Sequence, residues 1–242
     1  MRIDVYLTEK GFAQSRTEAK NFITSGAVKI NGRVITKPSY DVSDGEFAVS
    51  VDKSTKKYIS RGGYKLEAAL LEFNISVNER LALDVGASSG GFTDCLLQNG
   101  ACHVISVDSG SNQIADSLRK DPRVTVIENY NARYIKLEDL EYTPDLAVMD
   151  VSFISATYII PSLYSVLSKG ADFVCLIKPQ FEVGRALIGK GGIVKDEKSR
   201  LLAVNKVIDF AKNQGFEFVS VTISPIQGGD GNIEYLAHFR KD

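Results

Sequence analysis

From residue 81 onward, short apolar runs with strand character alternate with segments of helical spacing, and this alternation constrains the fold more than any other feature. It is typical of a parallel sheet covered by helices on both faces, an α/β fold. Two final runs, "FEFVSVTIS" and "IEYLAHFRK", have no helix between them and predict a long hairpin that adds an antiparallel edge. The expected strands are 81–85, 103–108, 124–128, 146–151 and 172–178, and the expected helices are 91–99, 111–120, 155–168 and 197–213.

The residues before this alternation predict a small α+β domain. Spacing predicts a helix from Arg16 to Thr24, with Ser15 as its cap and Gly26 at its end. The run "AVKINGRVI" then predicts two strands around an Asn31-Gly32 turn. The polar, basic segment "VDKSTKKYISRGGYK" has the composition of a linker. We therefore expect two domains, over residues 1–58 and 59–242.

Charge separates the two ends of the chain. The net charge is only -1, but residues 1–61 carry +4 and the remainder carries -5. A basic head on an acidic body indicates a polyanionic partner for the head. No window approaches the roughly 18 apolar residues of a membrane span, and "MRIDVYLTEK" lacks the apolar core of a signal peptide. We expect a cytoplasmic protein without a membrane partner.

The cysteine and histidine content gives no spacing for a metal site. Cys95, Cys102 and Cys175 fall on apolar segments that we expect to be buried, and only His103 and His238 accompany them. We expect small core residues in a reducing compartment and no bound metal.

Ionisable residues gather where the predicted strands end. Asp84 closes the first strand of the alternation, Asp108 the second, Asp150 the fourth and Lys178 the fifth. In an open α/β sheet, ligands bind outside the carboxyl ends of the strands, beside the first strand. These side chains therefore mark a candidate site.

The stretch "LALDVGASSGGFTD" predicts a strand, a glycine-rich turn and a helix. Asp108 follows Gly86 by 22 residues, near the separation at which an acidic side chain meets the hydroxyls of a ribose. The turn has the order Gly86-x-x-x-Gly90-Gly91 rather than G-x-G-x-x-G, which weakens a dinucleotide interpretation but does not choose between a dinucleotide and S-adenosylmethionine. A plain strand-to-helix turn, with glycines for geometry alone, is the other possibility.

A series of motifs runs along almost the whole chain. In order, they are "YISRGGYKLEAAL", "LDVGASSGGFTDCLL", "VDSG", "MDVSFIS", "LIKPQFE", "GGIVKD" and "GDGNIEYL". On these motifs, the body resembles the FtsJ-like RNA 2'-O-methyltransferases, and the whole chain resembles the TlyA family, in which that body follows an S4-type RNA-binding module. The family is also described as haemolysins.

The resemblance implies a Rossmann-like methyltransferase sheet and S-adenosylmethionine as cofactor. The substrate that it implies is the ribose of a cytidine in ribosomal RNA, free or within ribosomal subunits. A non-catalytic RNA-binding ribosome-assembly factor is the alternative, and a haemolysin, which would need a membrane-inserting element, is a third possibility. The family resemblance also implies a catalytic tetrad and a cofactor pocket at particular positions of this sequence. The tetrad is Lys65, Asp150, Lys178 and Glu234, and the cofactor residues are Asp84, Gly86, Ser88, Gly90, Gly91, Phe92, Asp108, Asn131 and Asp150. Ser88 stands where the wider methyltransferase class usually has glycine.

The chemistry assigns Lys178 the central role. A lysine in a low-dielectric pocket can act as a base or stabilise a developing alkoxide. Asp150 and Glu234 would orient it, and Lys65 would position the ribose or a phosphate. Lys178 could instead be a lysine at a strand end whose ammonium reaches solvent. Asp150 could instead cap a helix, a role that Ser152 or Ser155 could also fill.

Two further basic regions are candidates for RNA contact. Gly189 to Gly192 would form a substrate flap, with Arg185 and Lys190 near RNA. Scattered charges such as those of the N-terminal region usually lie on a solvated face. The family resemblance instead favours contact between these basic residues and RNA phosphates. The head residues are Arg2, Arg16, Lys20, Lys29 and Arg33.

Overall fold

Two units with separate hydrophobic cores make up the chain in the computed structural model, which describes residues 1–24, 26–42, 47–52, 57–228 and 231–242. The units are Met1–Lys57 and Tyr58–Asp242. One apolar cluster, which includes Ile3, Leu7 and Ile23, fills the first unit, and two clusters fill the second.

The first unit is α+β, as the sequence predicts. Its three-stranded antiparallel sheet has the order β2-β1-β3. The predicted turn is present, since Asn31 (φ 48°) and Gly32 (φ 80°) both adopt the left-handed conformation that a two-residue hairpin requires. Helix α1 and strand β3 were not predicted. The elements are α1 (Ile3–Glu9), α2 (Arg16–Thr24), β1 (Val28–Ile30), β2 (Arg33–Ile35) and β3 (Val49–Val51).

The second unit is built on a seven-stranded sheet of order β6-β5-β4-β7-β8-β10-β9. β10 runs antiparallel to both of its neighbours, whereas the pairs from β6 to β8 are parallel. The predicted hairpin is present, but β10 inserts between β8 and β9, so the edge strand is β9. The strands are β4 (Leu81–Val85), β5 (His103–Val107), β6 (Val124–Ile127), β7 (Leu146–Met149), β8 (Asp172–Ile177), β9 (Phe216–Ile223) and β10 (Tyr235–Lys241).

Helices cover both faces of this sheet. Strand alternation sends Leu83 and Val85 into the core beneath α6 and α8, and Ala82 into the core beneath α3 and α4. Both faces of the parallel strands are therefore buried, which explains their nearly continuous apolar runs. The helices are α3 (Arg61–Glu72), α4 (Gly91–Gln98), α5 (Asp116–Arg119), α6 (Ile160–Val166), α7 (Pro179–Glu182) and α8 (Glu197–Asn213).

Three local expectations need correction. The predicted linker ends early, because Tyr58 is buried and α3 begins at Arg61; residues 53–56 of that segment lie outside the described residues. α5 is shorter than the predicted 111–120 helix, since Asn112 has a φ of 53° and breaks it. Cys102 is exposed, because it lies before β5 begins and outside the buried part of the sheet.

Candidate functional site

A cavity of about 510 Å³ lies at the carboxyl ends of β4, β5 and β7, where the topology predicts a ligand. We call it the first cavity. Gln113 and Tyr130 also line it and were not singled out in the sequence. The predicted site residues in its lining are Gly86, Ser88, Asp108, Asn131 and Asp150.

The first half of the glycine turn shapes this cavity. Gly86 has a φ of 83°, and a side chain there would collide with the carbonyl group of Asp150. Glycine therefore lets the ends of β4 and β7 approach closely. Ser88 has a φ of 48° and adopts the left-handed conformation that glycine takes easily. The serine at this position therefore keeps the backbone conformation that the usual glycine would have.

The second half of the turn serves helix packing instead. A side chain at Gly91 would collide with the hydroxyl of Ser60 and crowd the backbone of α3. Phe92 is buried in the core that α3 and α4 share. Gly90, Gly91 and Phe92, predicted to contact the cofactor, are not among the residues that line the first cavity.

Asp108 is held rigidly at the cavity wall. Its Oδ1 accepts a hydrogen bond from the Gly110 amide at 2.7 Å, and its Oδ2 accepts one from the Ser88 amide at 2.8 Å. Each carboxylate oxygen has a further lone pair, so the group can still accept hydrogen bonds from a ligand hydroxyl. The two amides fix the orientation of the carboxylate.

Asp84 lies beneath α4 rather than in the cavity lining. Strand alternation places it on the face of β4 that α3 and α4 cover, where its Oδ2 accepts a hydrogen bond from the Thr93 hydroxyl at 2.6 Å. Thr93 also lies 2.7 Å from the Ser106 hydroxyl. Burial raises the pKa of Asp84 to about 7, and the neighbouring Asp150 and Asp108 also raise it, whereas the Thr93 hydrogen bond lowers it.

A second cavity of about 340 Å³ adjoins the first, and Ser152 and Phe153 line both. Lys178, at the end of β8, lines the second cavity. Its Nζ lies 2.5 Å from Asp150 Oδ1 and donates a hydrogen bond to Ser152 Oγ at 2.7 Å. The lysine head group is thus fixed at the wall between the two cavities.

The other two tetrad residues form a separate ion pair. Lys65 Nζ, from α3, lies 2.5 Å from Glu234 Oε2, and both residues are buried. Glu234 lines the second cavity and Lys65 does not. The structure therefore pairs Glu234 with Lys65 rather than with Lys178. Residues 229–230 of the "GDGNIEYL" motif lie outside the described residues.

Phe153 has an unusual conformation beside these groups. Its φ is 64°, which is rare for a residue with a bulky side chain, and the residue is 91% exposed. Its ring lies 5.2 Å from that of Phe181. The motif "MDVSFIS" contains a signal that the sequence analysis missed, an aromatic residue three positions after the aspartate of the predicted tetrad.

Ser155, rather than Asp150, caps the short helix that follows: its hydroxyl accepts a hydrogen bond from the Thr157 amide.

The predicted substrate flap borders the second cavity. Ile188 and Gly192 line it, whereas Arg185 and Lys190 do not. Buried Asn232 holds this loop: its side chain accepts from the Val194 amide and donates to the Gly192 carbonyl, both at 3.0 Å. The loop is thus tied to the segment that carries Glu234.

The basic residues of the first unit are only partly brought together. Arg2 and Arg16 meet at the buried carboxylate of Asp4, 2.9 and 3.0 Å away. Lys29 and Arg33 are exposed on the β1–β2 hairpin, and Lys20 lies on α2. Asp4 thus orders two of the five predicted cations.

Within the described ranges, no group of three or more histidine, cysteine or acidic side chains could hold a metal ion. The helices in those ranges are also too short or too polar to cross a bilayer.

A mostly parallel seven-stranded sheet in which β10 is reversed, with a cavity at the end of β4, is typical of the methyltransferase class. More specifically, the chain belongs to the FtsJ-like methyltransferase family, whose model matches residues 58–241, and an S4 domain matches residues 1–47. The resemblance drawn from the sequence motifs is confirmed.

Relatives match over almost the whole chain. Hemolysin A of Brachyspira hyodysenteriae is 45% identical over 240 residues, with 99% of each chain covered. The 16S/23S rRNA (cytidine-2'-O)-methyltransferase TlyA of Mycobacterium tuberculosis is 44% identical over 239 residues, which cover 99% of this chain and 89% of that protein. A solved structure described as a hemolysin from Streptococcus thermophilus has a TM-score of 0.79 and 44% identity, covering 100% of this chain and 88% of that one.

Proposed function

We propose that this protein transfers a methyl group from S-adenosylmethionine to the 2'-hydroxyl of a cytidine in ribosomal RNA. The observation that carries the proposal is the wall shared by the first and second cavities, at Ser152 and Phe153, where Lys178 is fixed. A cofactor in the first cavity and a ribose in the second would meet there. The name of the Mycobacterium tuberculosis relative supports the choice of cytidine and of ribosomal RNA.

The first cavity fits a cationic cofactor. Its volume lies within the roughly 300–1,000 Å³ range of small-molecule sites. Among the described residues of its lining, Asp108 and Asp150 carry carboxylates and none is lysine or arginine. A sulfonium or ammonium group bound in this cavity would be attracted to the carboxylate of Asp108. The match to the FtsJ-like methyltransferase family supports S-adenosylmethionine over a dinucleotide, the alternative left open by the glycine spacing.

Asp108 would hold the ribose of the cofactor, and Gly86 and Ser88, which line the same cavity, would approach its methionine part. The carboxylate of Asp108 is already oriented by the amides of Ser88 and Gly110, so binding requires no further ordering of that side chain. Asn131 lines the same cavity and would lie near the adenosine.

When bound, S-adenosylmethionine supplies an electrophilic methyl carbon. The protein must therefore align a weak nucleophile and stabilise the charge that develops on its oxygen. Lys178 would lie beside the 2'-oxygen, where it could take the hydroxyl proton or stabilise the alkoxide. Asp150 and Ser152 hold the lysine, so its Nζ is already directed when the ribose arrives.

The Lys65 and Glu234 pair would position the ribose from the other side. Glu234 lines the second cavity, and Lys65 is paired with its carboxylate. This arrangement changes the role first given to Lys65, because its Nζ is buried against Glu234 rather than directed at a phosphate. Lys65 would act through Glu234 as a positioning residue.

The first unit would supply RNA affinity, since it matches an S4 domain and carries an excess of positive charge. Exposed Lys29 and Arg33 are available for phosphates. Arg2 and Arg16 would contribute from the cluster around Asp4.

The test is mass-spectrometric mapping of ribose methylation in ribosomal RNA from cells with and without the gene, followed by transfer of labelled methyl groups to ribosomal particles by the purified protein. We expect a ribose methylation on cytidine to disappear without the gene. Identical methylation maps and no turnover, with RNA binding intact, would identify a non-catalytic assembly factor instead.

A further inference from the structure

A third cavity lies on the same rim of the sheet and is not used by the proposed reaction. It has a volume of about 630 Å³ and shares Phe153 and Phe181 with the second cavity. The tilted pair of these two rings therefore separates it from Lys178 and Glu234. Tyr158 forms another part of its lining.

The acidic group at this cavity is already neutralised. Glu182 is buried, and its carboxylate accepts hydrogen bonds from the Ser155 hydroxyl at 2.5 Å and the Ala156 amide at 2.7 Å. Lys206 Nζ lies 3.2 Å from the same carboxylate. An anionic ligand would therefore meet no free carboxylate from Glu182.

Arg133 adds an exposed cation beside the third cavity. Its guanidinium lies over the ring of Tyr158, 5.0 Å from the centroid, and 5.8 Å from that of Tyr134. Tyr134 is 64% exposed and Tyr158 is 53% exposed. In the described part of the chain, no carboxylate forms an ion pair with Arg133, whereas Arg119 is paired with Glu128.

Exposed aromatic rings next to an uncompensated guanidinium have the chemistry that binds single-stranded nucleic acid. Bases stack on such rings in any sequence, and a guanidinium can bind a phosphate through two hydrogen bonds. An acidic peptide could contact Arg133 but would leave the faces of Tyr158 and Phe181 unused. The continuous aromatic lining from the second cavity into the third favours a nucleotide strand.

We infer that the third cavity and Arg133 bind the nucleotide next to the one whose ribose is methylated, with its base against Tyr158 and Phe181 and its phosphate on Arg133. The inference rests on the proposed function for the identity of the strand. It follows that the target nucleotide and its neighbour must both be unpaired when they are bound.

The test uses the full chain and a fluorescein-labelled single-stranded RNA dodecamer rich in cytidine. Binding is measured by anisotropy over a series of KCl concentrations for Arg133→Gln, Arg133→Lys, Tyr158→Ala and Tyr158→Phe. Lys136→Gln is the matched control, because Lys136 is exposed in the same loop but is paired with Glu138 at 3.1 Å. Calorimetric binding of S-adenosylmethionine checks that each variant is folded.

We expect Tyr158→Ala to weaken RNA binding about 5- to 150-fold with an unchanged salt slope, and Tyr158→Phe to restore binding. Arg133→Gln should reduce the slope of log K against log salt by about 0.7, and Arg133→Lys should retain it. Affinities and slopes equal to those of Lys136→Gln would overturn the inference, as would equal competition by a polyglutamate peptide. If the wild type transfers no methyl group while these RNA-binding effects remain, the proposed function fails and the RNA-binding site stands.

Discussion

Lys178 Nζ lies 2.5 Å from Asp150 Oδ1, although the two residues come from the ends of different strands, β8 and β7. Adjacent parallel strands end at the same edge of the sheet, so their following residues meet there. The pair lies at the wall between two cavities, and Ser152 supplies a second contact to the lysine. This geometry fixes a cation where the reacting oxygen would lie.

Lys178→Met should abolish methyl transfer and leave fold and cofactor affinity nearly unchanged. Methionine keeps most of the length and apolar contact of the side chain but removes the ammonium. A positioned acid-base or charge-stabilising group is typically worth about 10²–10⁴ in rate. The measurement is single-turnover transfer of labelled methyl groups to ribosomal RNA, with calorimetric titration of S-adenosylmethionine on the same preparation. Retention of more than about a tenth of the wild-type rate would contradict the role of this lysine.

Asp108→Ala should weaken S-adenosylmethionine binding by about 1.5–3 kcal/mol through loss of a charge-assisted contact with the ribose. Asp108→Asn should also lose affinity, because its amide nitrogen cannot accept the hydrogen bond from the Ser88 or the Gly110 amide. Asp116→Ala is the control, because Asp116 is exposed on α5 and does not line the first cavity. Calorimetry with S-adenosylmethionine and NAD in parallel provides the measurement. Selective binding of NAD would favour a dehydrogenase.

Much of this architecture could be predicted from the sequence. Strands buried on both faces leave apolar runs of a distinctive length, and the residues at their ends are polar because they reach the rim. The pattern predicts Asp108, Asp150 and Lys178 at one edge of the sheet, and the structure places them there. The side chain of Asp84, predicted with them, lies beneath α4 instead. The Asn31-Gly32 turn was equally clear, because few residue pairs accept two positive φ angles.

Other parts of the site depend on contacts that no local pattern encodes. Lys65 and Glu234 are separated by 169 residues, and only the family resemblance associated them. The glycine turn predicts that Gly91 contacts a ligand, but a side chain at this position would collide with Ser60 and crowd α3. The sequence pattern did not predict α3. The positive φ of Phe153 is a property of the folded chain, and a phenylalanine in the sequence gives no sign of it.

Phe153 permits a test that separates its ring from its backbone. Phe153→Ala removes the ring but keeps a side chain at φ 64°, whereas Phe153→Gly also relieves the backbone. Both should weaken productive RNA binding by about 1–3 kcal/mol, because an exposed ring beside the second cavity can stack on a base. The glycine variant should be more stable than the alanine variant by up to about 1 kcal/mol. The measurements are KM for ribosomal RNA and urea unfolding; an unchanged KM for both variants would remove the stacking role.

Removal of residues 1–57 should separate RNA affinity from cofactor binding. All residues that line the first and second cavities belong to Tyr58–Asp242 among the described positions. Tyr58 must be kept, since it is buried and its ring contacts that of Tyr64. We expect calorimetric affinity for S-adenosylmethionine within about twofold of wild type, and greatly reduced methylation at low RNA concentration. Full activity under that condition would show that the first unit is dispensable.

Asp84 should make stability depend on pH in a direction opposite to that of most carboxylates. Burial raises its pKa to about 7 from an ordinary value of 3.8, so between these values the folded protein holds a proton that the unfolded chain releases. Its contribution to stability is complete below about pH 4 and is lost as pH rises to about 7. Asp172 acts in the other direction: burial raises its pKa, but hydrogen bonds from His238 and Arg80 outweigh burial and lower it. The total stability of the wild type therefore mixes both effects.

Asp84→Asn isolates the contribution of this one group. Asparagine cannot ionise and can still accept the hydrogen bond from Thr93, so the variant should escape the loss of stability that Asp84 causes. The free energy of unfolding of the variant, relative to wild type, should increase by on the order of 2–4 kcal/mol between pH 4 and pH 7.5. Urea unfolding of both proteins at these two pH values measures the difference. A difference that does not change with pH would mean that Asp84 is ionised throughout this range in the folded protein, and that the hydroxyls of Thr93 and Ser106 offset its burial.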